Sequence, residues 1–94
     1  MAKVPLVWEL RLYVAGQTPK SRLAYANLKS ICEEHLPNQC HIEVVDLREN
    51  PRLAMEKQIM ATPTLIREFP LPQIVLIGDL SDTKHALASL TCKN

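Results

Sequence analysis

From residue 7 to residue 14 apolar and polar positions alternate. Trp8, Leu10, Leu12 and Val14 fall on one face, and Glu9, Arg11 and Tyr13 on the other. A period of two over eight residues predicts a strand with one buried face. Ala15-Gly16-Gln17-Thr18-Pro19-Lys20-Ser21 breaks the pattern. A helix over about Ser21 to Leu36 follows, with Ala24, Leu28, Ile31, Cys32 and His35 as its inner stripe at i, i+3/i+4 spacing. Lys20, Arg22 and Lys29 keep its start and outer face basic, and Pro37-Asn38 ends it.

Residues 40–47 read as a second strand, with Ile42 and Val44 inward and His41 and Glu43 outward. About 25 residues with a helix inside separate the two strands, which suits a parallel crossover rather than a hairpin. Asn50-Pro51 predicts a helix opening, a capping side chain followed by proline in the first turn. Arg52 to Met60 is rich in good helix formers, and Thr62-Pro63 stops it. Thr64 to Phe69 and Ile74 to Ile77 read as strands joined by a short antiparallel turn, Pro70-Leu71-Pro72-Gln73. A turn at Gly78-Asp79-Leu80-Ser81 offers Ser81 as an N-cap, and a last helix runs from Asp82 to about Thr91. The order βαβαββα makes an α/β chain in the thioredoxin order. Thr62-Pro63 before the third strand strengthens that analogy, because the thioredoxin fold keeps a cis proline there.

Composition narrows the function classes. With 94 residues the chain suits one domain spanning 1–94. Hydrophobic residues at 47% suffice for a core, and a net charge of +1 from eleven Lys+Arg and ten Asp+Glu argues against binding nucleic acid by bulk charge. The longest apolar run, Ile74-Val75-Leu76-Ile77, is far short of a membrane span. The N-terminus lacks the apolar stretch of a signal peptide. Three cysteines without close spacing do not read as a disulfide framework, and a reduced cytoplasmic interior is the expected location.

A thioredoxin-type enzyme needs a nucleophilic thiolate at the start of the first helix, where the helix dipole and a partner cysteine lower its pKa. Gly16-Gln17-Thr18-Pro19 stands there instead. Cys32 lies on the apolar stripe of the helix, Cys40 opens a strand and Cys92 lies in the tail, so all three are expected to be small hydrophobes or inert thiols. Cys32/His35 and Cys40/His41 do not make a zinc site, because adjacent strand residues point to opposite faces and four ligands cannot converge. Glu33-Glu34 reads as a solvated helix face, and Asp79/Asp82 as turn and cap chemistry. Two glycines exclude a glycine-rich phosphate loop. Trp8, Tyr13, Tyr25 and Phe69 are too scattered for a base-stacking platform. No cofactor and no metal are expected, and the residues alone lead to a non-enzymatic binding module.

Leu12-Tyr13-Val14-Ala15-Gly16 with Thr18-Pro19 and Ser21, then Val44-Val45-Asp46-Leu47 with Glu49-Asn50-Pro51, carry a narrower resemblance. So do Ile59 with Ala61-Thr62-Pro63-Thr64-Leu65, the prolines Pro70 and Pro72, and Ile77-Gly78-Asp79-Leu80-Ser81-Asp82. In this order and spacing, from about Leu6 to Leu90, the chain resembles the KaiB circadian clock family. The resemblance implies a non-enzymatic regulator that binds the ring-shaped ATPase KaiC, sequesters KaiA and displaces the SasA histidine kinase. It also implies a metamorphic chain. One state is the thioredoxin-like order above, monomeric and competent for KaiC. The other is a βαββααβ ground-state fold that forms a homotetramer. The segment rebuilt between them includes Pro63, Pro70, Pro72, Ala88, Ser89 and Thr91. Partner contact is expected on the second helix and its flanks, at Asn50, Pro51, Glu56, Lys57 and Gln58.

Several positions depart from the family pattern. Gln58 replaces a lysine, Leu71 interrupts a proline run and Ile74-Val75 replaces a basic pair. Ser89 replaces a glycine and Thr91 an aspartate, and no acidic residue follows Asp82. These departures leave an accessory role in stress signalling, without a full clock, as the alternative; a thiol redox protein is the reading from another class. Over residues 86–91 Ala86, Ala88 and Ser89 favour a helix over the closing strand of the tetramer by about 1–1.5 kcal/mol together. The thioredoxin-like state is therefore the expected one, with the ground-state fold as its rival.

Overall fold

The structure, a computed structural model, describes residues 7–91. Cys92 and the N-terminal segment Met1 to Pro5 lie outside the described residues. The element order is β1 (Trp8–Val14), α1 (Pro19–His35), β2 (Cys40–Asp46), α2 (Arg52–Glu56), β3 (Thr64–Phe69), β4 (Ile74–Ile77) and α3 (Thr83–Leu90). The four strands form one sheet in the order β2-β1-β3-β4. β1 and β2 run parallel, with Leu10 beside Ile42, and β3 is antiparallel to both β1 and β4. This is the expected βαβαββα order, with β3 and β4 at their expected bounds and residues 86–90 in a helix. The Thr62-Pro63 bond is cis, as are Phe69-Pro70 and Leu71-Pro72.

One face of the sheet packs against α1 and α3. Trp8, Leu10, Leu12 and Val14 meet Ala24, Leu28, Ile31 and Cys32 of α1, with Leu65, Ala86 and Leu90 closing the cluster. His35 is exposed, not inward, and Leu36 one residue on packs against this cluster instead. Val44 is 49% exposed rather than buried, because β2 is an edge strand that α1 covers only in part. α1 begins two residues earlier than expected. Its cap is Thr18, whose side chain accepts from the Ser21 N–H at 3.1 Å while the Ser21 hydroxyl accepts from the Thr18 N–H at 3.0 Å.

The opposite face holds a second, smaller core. Tyr13, Leu47 and Ile66 are buried there with Val45, Leu53, Ala54 and Ile59 against them. β1 is thus buried on both faces along this stretch, and Tyr13, expected outward, is 1% exposed. α2 is five residues long, not nine. Asn50 makes no capping bond with its side chain; its carbonyl accepts from the Leu53 N–H at 3.1 Å. Gln58 takes φ +57° and turns the chain out of the helix, so the residues to Met60 are irregular. At α3 the cap is Asp82, which accepts from the His85 N–H at 3.1 Å. Ser81 donates its N–H to Asp79 one turn earlier, at 3.0 Å.

A single cation is buried in the larger core among the described residues. Arg67 on β3 is 2% exposed. Its guanidinium lies 5.3 Å from the centre of the Trp8 ring. It donates to the Leu90 carbonyl and, at 2.7 Å, to the Pro72 carbonyl. Arg67→Ala strips these carbonyls and the ring of their partner at once. It is expected to lower the unfolding free energy by about 2–4 kcal/mol. Urea denaturation checks the loss, and amide exchange should show α3 losing protection before β1.

Candidate functional site

In thioredoxin-type enzymes chemistry sits at the β1–α1 turn, so that turn comes first. Gly16 takes φ +82°, and a β-carbon there would lie 2.8 Å from the Arg48 guanidinium carbon. The backbone angle favours glycine, and a side chain there would also push the Arg48 guanidinium aside. The Gly16 N–H donates to Asp46 Oδ1 at 3.2 Å, and its carbonyl accepts from the buried Ser21 hydroxyl at 3.1 Å. Arg48 closes the other side, its guanidinium 3.0 Å from Asp46 Oδ2 and its N–H 2.9 Å from Oδ1. The Arg48 side chain, then the Arg48 and Gly16 N–H groups, hold the Asp46 carboxyl down at about 2. The turn carries no thiol. Its polar groups satisfy one another.

The expected contact residues lie on the other face, at and around α2. Only Glu56 is in the helix; Asn50 and Pro51 precede it, and Lys57 and Gln58 follow it. Asn50, Pro51, Glu56 and Gln58 are exposed. Lys57 is half-buried, and its ammonium lies 3.5 Å from Glu68. Glu68 also meets Arg11 at 3.8 Å, and Arg11 meets Glu43 at 3.0 Å. Lys57 is therefore the end of an ionic chain running across the sheet from β2 to α2, not a free surface charge. Met55 and Met60 flank these polar residues at 84% and 96% exposure. Neither methionine was singled out by sequence reasoning, although two apolar residues bracketing a polar run were a visible signal. Val75 and Ile77 pair with Ile66 and Thr64, so they stand on this same face of the sheet, and both are exposed.

The residues of the expected rebuilt segment are spread through the second half. Pro63 is fully buried, Pro70 and Pro72 flank the β3–β4 turn, and Ala88 and Ser89 lie in α3 with Thr91 at its C-cap. Among the cysteines, Cys32 and Cys40 are free and lie side by side. His41 pairs instead with Glu9, 3.1 Å away on the opposite face. Among the described residues no three His, Cys, Asp or Glu side chains converge on a point that could hold a metal ion. No described helix is long and apolar enough to cross a membrane.

The fold and this turn define a thioredoxin-like domain without the thiol pair of the redox enzymes. Its backbone is similar to the N-terminal domain of SasA from Synechococcus elongatus, at a TM-score of 0.78 and 21% identity over the whole chain and 92% of that domain. It is also similar to oxidised mitochondrial thioredoxin 3 from Saccharomyces cerevisiae, at a TM-score of 0.71 and 16% identity over 93% of this chain and 80% of that one. The family model of the KaiB domain matches residues 11–92, and the chain belongs to the KaiB family. The circadian clock oscillator protein KaiB of Microcystis aeruginosa is 47% identical over 81 residues, 86% of this chain and 78% of that protein. The protein of the same name from Nostoc is 43% identical over 90 residues, 96% and 83% of the two chains.

Asp46 has a depressed carboxyl in the folded chain and an ordinary one, at 3.8, once unfolded. Its stabilising contribution is therefore complete above 3.8 and is lost as pH falls toward about 2. In urea titrations across that range, the wild type is expected to lose stability more steeply than Asp46→Asn, whose side chain does not titrate. Equal slopes would remove Asp46 as the source. The β1–α1 turn predicts in addition that the protein shows no insulin-disulfide reduction above the uncatalysed rate.

Proposed function

We propose that this chain is a non-enzymatic clock regulator that docks on a KaiC-type ATPase ring through α2 and its flanks. The observation that carries this reading is the composition of that surface. Two methionines, almost fully exposed, bracket the polar residues Glu56, Lys57 and Gln58. Exposed flexible apolar side chains beside satisfied charges are a pattern of interfaces rather than of idle surface. Asn50 and Pro51 form the near edge of the same surface. Family membership supports the choice of ring.

Two further partners follow from this reading. A domain of the same backbone shape as the N-terminal domain of SasA is a natural competitor for a shared docking place on the ring, so displacement of a SasA-type kinase belongs to the proposal. Sequestration of KaiA is the family's third interaction. Residues 1–94 act as one domain, in the cytoplasm, and the thioredoxin-like state binds as a monomer. The homotetramer is the form in which the rebuilt segment, Pro63 through Thr91, is arranged otherwise.

Glu56→Ala, Gln58→Ala and Met60→Asp each lie on exposed positions and should leave stability unchanged. At least one, with Met60→Asp the strongest, is expected to weaken binding to the purified N-terminal ring of KaiC about tenfold, or ~1.4 kcal/mol. Lys57→Glu should weaken binding as well. It also sets a second carboxylate beside Glu68, so its thermal stability is measured in parallel. Unchanged affinity for all four variants would reject the α2 surface.

A further inference from the structure

Cys32 lies in the last turns of α1, and Cys40 is the first residue of β2. Eight positions apart in sequence, they are brought together where the chain turns back from helix to sheet. Cys40 packs against the core cluster that contains Cys32. Both line a cavity of about 340 Å³ that opens to solvent between Lys29, Glu33, Leu36 and Ile42. Cys32 is buried in the larger core, and Cys40 at its rim is only half-buried. The two thiols thus have unequal access to a small solute in the cavity.

We propose that Cys32 and Cys40 are an oxidisable dithiol that takes a hydroperoxide and closes to an intramolecular disulfide between α1 and β2. Cys40, the more accessible partner, reacts first. Its thiolate attacks one peroxide oxygen, the O–O bond breaks, and the electron pair leaves on hydroxide, which takes up a proton to become water. Cys40 is now a sulfenic acid. The Cys32 sulfur then attacks the Cys40 sulfur. The S–S bond forms, the S–O bond breaks, and the hydroxyl leaves as water with the Cys32 proton. Two thiols and one hydrogen peroxide give one disulfide and two waters. Burial pushes both thiols up, so the thiolate is scarce at neutral pH and the reaction is a slow, stoichiometric response to oxidant rather than a turnover. A metal is a poor competitor here, since among the described residues no third ligand converges on the pair.

The test uses the full reduced chain treated with hydrogen peroxide, then alkylated under denaturing conditions and mapped by mass spectrometry without reduction. The expected result is a monomer that has lost two alkylatable thiols and yields a linked peptide joining Cys32 to Cys40. Dithiothreitol should restore both thiols. Cys92→Ser should form the same bond at the same rate. Cys40→Ser should keep Cys32 alkylatable at peroxide doses that close the wild type. A bond from either residue to Cys92, a bond between two chains, or both thiols intact at doses that fully oxidise glutathione would each overturn the assignment.

Discussion

The guanidinium of Arg67 lies inside the face of the sheet that α1 and α3 cover, and three separate parts of the chain meet on it. A cation in that position is costly unless its charge and its N–H groups are answered. The Trp8 ring answers the charge from β1, and two carbonyls answer the donors, one from the β3–β4 turn and one from the end of α3. Leu90 belongs to the last turn of its helix, where carbonyls lack intrahelical partners and the helix dipole is negative. Arg67 therefore caps α3 from the sheet. The end of α3 and the turn at Pro72 are both tied to this one side chain, in addition to the core packing of Ala86 and Leu90.

The two faces of the sheet are unequal in consequence. One carries two helices of 17 and eight residues and a cluster anchored by Arg67. The other carries a five-residue helix that a short loop holds over Tyr13 and Ile66. A helix of that length does not sustain itself in water, so packing by Leu53, Ala54 and Ile59 keeps it in place. The lightly held face is also the one with Met55, Met60, Val75 and Ile77 exposed. Local opening costs least where few apolar contacts hold an element, and the surface proposed for docking lies there.

Strong periodicity made most of the fold legible. β3 and β4 lie at their expected bounds because prolines and a glycine punctuate them, Pro63 and Pro70 around β3 and Pro72 and Gly78 around the apolar run of β4. Tyr13 was misread because alternation assigns parity, not burial; nothing local says that a second core waits on the polar face. Met60 and Gln58 were misread because helix formers continue past Glu56, whereas the positive φ at Gln58 closes the helix with backbone bonds from Gln58 and Ile59 to Met55 and Ala54 and sends Ile59 to the smaller core. Arg67 shares the parity of the buried Leu65, so its inward side was readable, but a charge at that parity carries no hint of Trp8 or Leu90. The Cys32–Cys40 contact was hidden for a different reason. It is made by the return of the chain after α1, and spacing alone does not show where that return lands.

The clamp on α3 grips main-chain oxygen. Leu90 and Pro72 are held through their carbonyls, and any residue at those places would offer the same atom. The side chains of Ala88 and Thr91 are exposed and that of Ser89 is half-buried. Side-chain drift over the end of α3 is thereby uncoupled from the attachment of the helix to the sheet. A lineage can explore the exposed positions of that stretch residue by residue while the arginine keeps its hold on the backbone, which gives evolution a tolerant segment tied down through its main chain.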